Sequence, residues 1–346
     1  MSNAVNKKIR DIWVLGEVKS SGELASTVFE LSAKARELAG QAGEAHGVKI
    51  LLLLDTAVSG AFTGLPQAGN YGADKVVVVS GDGLPADRTA SARVLAYLAA
   101  QNRPEIILAS ATAFGRSVMP YAAALLKTGL TADCTELFID QKTGLLLQTR
   151  PAIGGNIMAT INTPEHVPQM ATVRPRTFRV PAPETGRLAE VETAFVPDEI
   201  MKRTVTTLGF KKFNESDATL QERDVIVSGG KGLRRAEGFE LLSKLAGLLG
   251  GGVGASRPAV EMKWMSYPHQ VGLSGQVVSP KVYIAAGISG AVQHLAGMQT
   301  AGKIIAINRD PEAQIFNVSD IAICGDLYDI IPKLIEKIEQ RNGGPK

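Results

Sequence analysis

The sequence predicts an α/β protein with two doubly wound domains. Short, continuously apolar runs alternate with segments of helical periodicity over about the first 130 residues, and a second alternating stretch begins at Asp224. Strands that are apolar on both faces and separated by helices are typical of a parallel sheet covered on both sides. The glycine content, 36 of 346 residues, fits the tight strand-to-helix turns of such sheets.

The predicted first domain, an N-terminal α/β domain, comprises residues 1–213. Four apolar runs predict its parallel strands, and they begin at Ile12, Val48, Lys75 and Glu105. Apolar residues at helical spacing predict helices over 24–39, 90–100 and 116–129, the last of them ended by Gly129.

The pattern changes after Thr131, where the sequence becomes β-rich without intervening helices. The segments DCTELFID, LLLQTRPA, NIMATIN and PQMATVRPRTFRV predict added antiparallel strands that close the first domain. RTVTTLGFKKF, at 203–213, predicts one further strand.

The predicted second domain comprises residues 214–346 and starts with a polar connection, NESDATLQERD. Its strands are predicted in DVIVSGGKG, VGASRPAV, KVYIAAGISG, KIIAIN and DIAIC. Its helices are predicted in GFELLSKLAGLLGG, AVQHLAGMQTAG and LYDIIPKLIEKIEQ. Alternation of this kind again predicts a parallel sheet.

Composition argues against several classes of protein. The net charge is only +3 and the Lys and Arg residues are dispersed, which argues against a nucleic-acid partner. The longest apolar run, ILLLLD, is far too short for membrane insertion, and the N-terminal segment lacks the features of a signal peptide. We therefore expect a cytoplasmic or equivalent reducing location. Cys134 and Cys324 form no CxxC pair, so free thiols are expected and no metal site.

Three predicted strand ends in the second domain carry small residues, in the sequences SGGKG, GASR and GISG. The carboxyl ends of parallel strands meet in one crevice, where ligands of such sheets bind. Backbone N–H groups at the helix starts that follow would favour a phosphate. The alternative is that these small residues only form tight turns. Three such strand ends in one half-domain are more than tight turns alone would require.

Motifs for hydrolysis are missing or incomplete. GMQTAGK has P-loop spacing, but Ile304 follows the lysine and the segment runs from helix to strand, so ATP hydrolysis there is rejected. The sequence contains no GxGxxG, GxSxG or HExxH motif. His46, His166 and His269 lack the spacing of metal ligands and are predicted to lie on the surface or in loops.

The run VYIAAGISGAVQHLAGMQTAGKIIAINRDPEAQIFNVSDIAICGDL, at 282–327, closely resembles the alpha subunit of electron-transfer flavoproteins. SGGKGLRRAEGF and GASRPAV share that resemblance, and TGLTADCT and TRPAIGGNIMA resemble its prokaryotic branch. The resemblance implies one FAD in the second domain and a heterodimer with an electron-transfer flavoprotein beta subunit. It implies an electron carrier rather than an enzyme by itself. Implied electron partners are an acyl-CoA dehydrogenase of fatty acid β-oxidation, another flavin dehydrogenase, or NADH-linked bifurcating proteins.

The resemblance also implies site residues. Flavin-tuning roles fall to Arg257 against the ring, Ser274 near its N5 atom and His294 at its pyrimidine edge. The other implied cofactor-binding residues are Lys231, Ser256, Val271, Gly272, Leu273, Ser289, Gly290, Ala291, Val292, Gln293, Asn308, Asp326 and Leu327.

Two positions depart from the family pattern. Lys231 stands where arginine is common, and it cannot form a bidentate phosphate contact. Leu273 stands in a loop that commonly reads QVGQTG, so an amide is lost there. Two other classes of function stay open on the residues alone: a non-redox adenine-nucleotide-binding regulatory module and a hydrolase with an unrecognised nucleophile.

Overall fold

The computed structural model describes residues 11–19, 21–42, 47–56, 64–152, 157–206, 208 and 220–342. These residues form two compact units. The first comprises the described residues up to 152 and those from 158 to 208, the second comprises Ile157 and the residues from 220 onward, and the main passage between them lies between residues 208 and 220. The domain boundary predicted after residue 213 falls in that stretch, outside the described residues.

The first unit is built on a seven-stranded, all-parallel sheet with the order β10-β3-β2-β1-β4-β9-β5. A second sheet, β6-β7-β8, is antiparallel. The strands are β1 Ile12–Gly16, β2 Val48–Leu54, β3 Lys75–Ser80, β4 Ile106–Ser110, β5 Leu130–Cys134, β6 Glu136–Ile139, β7 Leu146–Pro151, β8 Met158–Ile161, β9 Gln169–Val173 and β10 Glu190–Thr193. The helices are α1 Ser26–Gln41, α2 Arg88–Asn102, α3 Ala113–Leu126 and α4 Asp198–Met201.

This unit corrects three expectations about its strands. β9 was predicted to be antiparallel, but it lies parallel between β4 and β5, and all five of its residues are buried as a central parallel strand requires. β10 was not predicted, because all four of its residues are exposed and carry no apolar pattern. Residues 203–206 and 208 form no strand, since the backbone N–H groups of Thr204 and Val205 donate to the Asp87 carboxylate instead.

Helix α3 also ends earlier than predicted. Lys127 adopts the left-handed conformation (φ 54°) and caps the helix, two residues before Gly129. The Lys127 and Thr128 N–H groups donate back to the carbonyls of Ala124 and Ala123, which satisfies the last turn.

The second unit contains a five-stranded, all-parallel sheet with the order β12-β11-β13-β14-β15. Its strands are β11 Val225–Gly229, β12 Gly252–Ala255, β13 Val282–Ala286, β14 Lys303–Asn308 and β15 Ile321–Cys324, and its helices are α5 Gly238–Leu248, α6 Arg257–Glu261, α7 Val292–Leu295 and α8 Leu327–Asn342. Apolar clusters cover both faces of the sheet. The order of the strands reverses between β11 and β13, where a doubly wound sheet opens a crevice for ligands.

Helix α7 is a single turn, although a helix was predicted over 291–302. The helix ends just before Gly297, whose backbone packs against the preceding loop that contains Gly272. A Cβ on Gly297 would lie 2.4 Å from the backbone nitrogen of Gly272. Because the helix is a single turn, it has almost no macrodipole, and its N-terminus should attract an anion only weakly. None of the described helices has both the length and the apolar character needed to cross a membrane.

Candidate functional site

A cavity of about 840 Å³ opens at the carboxyl ends of the strands in the second unit. Residues that follow β11, β12, β13 and β14 line it together, so it occupies the crevice where the strand order reverses. A volume of this size is typical of a small-molecule or cofactor site.

Glycines bring the loops after β11 and β13 into direct backbone contact. A Cβ on Gly232 would lie 2.6 Å from the Cα of Gly287, and Gly287 itself has a positive φ of 63°. The Gly232 N–H donates to the Gly287 carbonyl at 2.9 Å. These glycines therefore give the floor of the cavity its shape and are not merely turn residues.

The structure brings together fourteen of the sixteen predicted site residues at the wall of this cavity. They are Lys231, Ser256, Arg257, Val271, Gly272, Leu273, Ser274, Ser289, Ala291, Gln293, His294, Asn308, Asp326 and Leu327.

Gly290 and Val292 do not line the cavity. Gly290 has a positive φ of 87°, and a Cβ there would lie 2.2 Å from the nitrogen of Ile315, so its role is close packing. The side chain of Val292 is half-exposed.

The predicted list of site residues lacked nine lining residues, several of them charged, although Gly232, Gly287 and Ile288 lie in the predicted strand ends SGGKG and GISG. The nine are Gly232, Arg234, Pro258, Glu261, Gly287, Ile288, Arg309, Asp310 and Ala313. Arg309 and Asp310 directly follow β14, and the rule that strand ends line the crevice could have found them. Glu261 lies one helical turn after Arg257, a spacing that predicts an ion pair.

The loop that carries Leu273 and Ser274 is held from three sides. The Val271 N–H donates to Ala255 at the end of β12, and the Leu273 N–H donates to the Gln293 carbonyl at 2.7 Å. The Ser274 hydroxyl accepts from the Gln270 amide at 3.0 Å, and its carbonyl accepts from the Tyr267 phenol. The Leu273 side chain projects outward and is 62% exposed, so it offers an apolar surface at the mouth of the cavity.

Charged side chains at the mouth of the cavity form pairs of opposite charge. Arg257 donates from Nε to Glu261 at 2.7 Å, and both side chains are largely exposed. Arg234 and Arg309 both face the Asp326 carboxylate, at 3.5 and 3.8 Å. Together with Lys231, four cations and three carboxylates line the cavity, which suits a ligand that carries negative charge at some points only.

His294 is the one histidine among the lining residues, and it is buried. Its Nε2 lies 3.0 Å from the phenol oxygen of Tyr283, and its Nδ1 is buried without a hydrogen bond of normal geometry. Burial lowers the pKa of His294 to about 4, although an interaction with the Val271 backbone opposes the shift. The ring is therefore neutral at pH 7.

The other histidines lie apart from the cavity. His166 is exposed in a loop, and Nδ1 of His269 lies 2.7 Å from the Val253 carbonyl oxygen. His46 lies outside the described residues. In the parts of the chain that the structure describes, no cluster of three or more His, Cys, Asp or Glu side chains could hold a metal ion.

Comparison with protein-family models gives two matches that cover most of the chain. Residues 12–199 match the electron transfer flavoprotein domain, and residues 219–299 match the electron transfer flavoprotein FAD-binding domain. The chain belongs to the electron transfer flavoprotein family. The resemblance drawn from the sequence is confirmed, and so is the α/β fold class.

Curated relatives of this electron transfer flavoprotein extend over nearly its whole length. The electron transfer flavoprotein subunit alpha of Thermoanaerobacterium thermosaccharolyticum is 43% identical and covers 96% of this chain and 98% of its own. Protein FixB of Clostridium saccharobutylicum is 40% identical, with coverages of 96% and 97%. The acryloyl-CoA reductase electron transfer subunit beta of Anaerotignum propionicum is 39% identical, with coverages of 96% and 96%.

FAD is the cofactor of this electron transfer flavoprotein, and the cavity fits such a group. Two buried polar atoms of lining residues, His294 Nδ1 and Ser256 Oγ, have no hydrogen-bond partner of normal geometry in the protein. Buried polar groups are normally paired, so these two suit a ligand with polar edges. The bare backbones of Gly232 and Gly287 leave room beside them. The family relation disfavours a non-redox regulatory module.

Proposed function

We propose that this chain is the FAD-carrying alpha subunit of a heterodimeric electron carrier. The observation that carries the proposal is the cavity at the carboxyl ends of β11 and β13, with its two unpaired buried polar atoms. FAD accepts and releases electrons in one-electron or two-electron steps. The chain would hold the flavin, set its potential and exclude water, without a covalent step of its own.

Different lining residues are proposed to contact different parts of FAD. Arg257 would lie against the flavin ring, with Leu273 and Ser274 beside it, and His294 would meet the pyrimidine edge. Asn308, Asp326 and Leu327 would surround the adenosine half. Asn308 suits this because its amide is fixed by donation to the Ile288 carbonyl at 2.9 Å.

A beta subunit is the proposed permanent partner. Its docking surface would include the segments 128–135 and 149–159, of which 153–156 lie outside the described residues. Met158 on β8 and Phe138 on β6 are exposed apolar side chains, and their pairing through β7 puts them on the same face of the β6-β7-β8 sheet. Exposed apolar residues gathered on one small sheet favour a protein interface.

The electron partners are proposed from the expected flavin chemistry and from the name of one relative. The name of the Anaerotignum relative ties that protein to a reductase of an acyl-CoA compound. We infer that this chain exchanges electrons with an acyl-CoA dehydrogenase or a related flavin dehydrogenase in the cytoplasm, as in fatty acid β-oxidation. An NADH-linked, bifurcating complex is a second form of the same function, and it would need another flavin in the beta subunit.

Co-expression with a beta subunit tests the proposal. We expect a one-to-one heterodimer by sedimentation and a flavin spectrum with one FAD for each alpha chain. A second FAD in the heterodimer would indicate bifurcation, and AMP would indicate simple transfer. The Met158→Asp variant should weaken the heterodimer, while Ile321→Asp, at an exposed position in the second unit, should not. A colourless or fully monomeric alpha chain would contradict the proposal.

A further inference from the structure

Tyr283 is a buried polar residue that the cavity itself does not explain. It lies in the middle of β13, its side chain is fully buried, and it is not among the lining residues. Its phenol oxygen lies 3.0 Å from His294 Nε2, and the two ring centroids are 6.1 Å apart. Tyr283 thus stands directly behind the one histidine that faces the cavity.

The direction of this hydrogen bond follows from the surroundings of the phenol. Burial raises the pKa of Tyr283 far above its usual value, so the phenol keeps its proton. Ser228 on β11 also lies beside the phenol, but its hydroxyl forms no hydrogen bond of normal geometry. Among the described residues, His294 Nε2 is the acceptor that the phenol proton meets.

A neutral imidazole carries one proton, on one nitrogen or the other. If Nε2 accepts from Tyr283, the proton of His294 must be on Nδ1. That nitrogen is buried at the wall of the cavity and has no hydrogen bond of normal geometry. The ring therefore offers a donor, rather than a lone pair, to a bound group.

We propose that Tyr283 is a positioning residue that holds His294 in the Nδ1–H tautomer and so fixes a hydrogen-bond donor towards the flavin. The proposal rests on the proposed function for the place of the flavin. The opposite tautomer would aim a lone pair at an edge that gains negative charge on reduction, which would oppose reduction. A single buried phenol on a rigid central strand prevents that outcome.

The first test uses the full chain without FAD. ¹⁵N NMR of histidine-labelled protein at pH 7.5 distinguishes the tautomers by the shifts of the two ring nitrogens, and the His294→Gln variant assigns the signal. We expect the Nδ1–H tautomer of His294 to predominate. A predominantly Nε2–H tautomer would overturn the inference, whatever the protein does with FAD.

Variants supply the second test. Tyr283→Phe should lower the ratio of Nδ1–H to Nε2–H roughly tenfold, the effect of one hydrogen bond. Tyr328→Phe is the matched control, because it also removes a phenol in the second unit, one that donates to Leu233 rather than to His294. An unchanged ratio in a folded Tyr283→Phe protein would contradict the role of the phenol.

The third test measures the FAD-loaded protein by potentiometry. Tyr283→Phe should lower the potential of the first one-electron step by up to about 59 mV, the value for a tenfold change when the Nε2–H tautomer predominates in the variant. In the His294→Gln background the same substitution should have no further effect, because the two residues act as one unit. An equal drop in both backgrounds would show that Tyr283 acts only on the fold. Failure to bind FAD would instead count against the proposed function and leave the tautomer result standing.

Discussion

The two parallel sheets of this protein differ most at the points where their strand orders reverse. In the first unit that point lies between β1 and β4, and the chain's own side chains fill it: the Thr112 hydroxyl after β4 donates to the Glu17 carboxylate after β1 at 2.6 Å. In the second unit the same point, between β11 and β13, opens into the cavity of about 840 Å³. Among the described residues, one switch point therefore carries a hydrogen-bonded pair of side chains and the other carries a cavity.

The residues that begin the neighbouring helices show the same difference. Thr112 caps α3, and its oxygen accepts from the Gly115 N–H at 3.1 Å. Ser256 begins α6 without a side-chain cap, and its hydroxyl is buried and lacks a partner of normal geometry. Because the Ser256 hydroxyl forms no cap hydrogen bond within the protein, it is available to a ligand in the cavity.

Buried titratable groups of the two units respond to acid over different ranges of pH. Burial raises the pKa of Glu17 and of Glu30, so their contribution to stability is greatest below pH 4.5 and is lost as pH rises through the raised pKa. Burial lowers the pKa of His294 to about 4, so the neutral ring favours the fold above pH 6.5 and loses that advantage as pH falls. Hydrogen bonds to Asp87 in the first unit outweigh its burial and lower its pKa to about 2, so its contribution to stability is lost only below pH 3.8. Between pH 6.5 and about 4, acid should therefore weaken the second unit through His294.

The largest expected effect is this acid response. The gap between an ordinary histidine pKa of 6.5 and a pKa of about 4 corresponds to a loss of about 3 kcal/mol in the free energy of unfolding between those pH values. Urea unfolding at pH 7.5 and pH 4.5, with a probe in the second unit, measures it. His294→Gln should lack most of the loss, because glutamine does not titrate. Equal losses in both proteins would show that His294 is not responsible.

The second largest effect should come from filling the contact between the loops after β11 and β13. Gly232→Ala places a methyl group 2.6 Å from the Cα of Gly287 and should weaken FAD binding by about 1–3 kcal/mol, or roughly fivefold to 150-fold. Gly247→Ala is the control, since a Cβ there meets no atom within 4 Å. Flavin fluorescence titration compares the two, and similar dissociation constants would contradict the assigned role of Gly232.

Removing the cap in the first unit should have a smaller effect of a different kind. Thr112→Ala should lower the free energy of unfolding by about 1 kcal/mol, since a helix cap and a carboxylate partner are lost together. FAD affinity should not change. Thr112→Ser, which keeps the hydroxyl, is the control for thermal unfolding. A loss of FAD binding in a stable Thr112→Ala protein would mean that the first switch point also takes part in the site.

The smallest expected effect concerns the charges at the rim. Arg257 and Glu261 form an exposed ion pair at the mouth of the cavity, and each should act on the flavin potential with opposite sign. Arg257→Ala should lower the potential and Glu261→Gln should raise it, each by roughly 10–40 mV, because solvent screens exposed charges. Arg257→Lys keeps the charge and should have a partial effect. Shifts of the same sign in the Ala and Gln variants would exclude this electrostatic role.

Much of the fold was predictable because it depends on local apolar pattern. The predicted strands KVVVVS and KIIAIN coincide with β3 and β14 at both ends. The exposed edge strand β10 carries no such pattern, so nothing in its sequence marked it. The parallel placement of β9 depends on partners distant in sequence, and no local rule supplies them. Helix α7 stops early because of a contact with Gly272, which also lies in a distant segment.

The candidate site was predictable at its strand ends and through the family resemblance. The residues missed are those whose role depends on three-dimensional proximity. Tyr283 reads as one more apolar residue of a buried strand, and only the fold places its hydroxyl behind His294. Arg234 follows a predicted strand end, yet the sequence did not show that it would meet Asp326 across the cavity.

The claim that the second switch point, and not the first, holds the flavin can be measured directly by hydrogen–deuterium exchange. The full chain would be compared with and without saturating FAD. We predict that backbone protection rises in peptides covering 229–234, 270–276 and 287–295, and stays unchanged in those covering 17–19 and 111–116. Protection at the first switch point, with none in the second unit, would contradict the account.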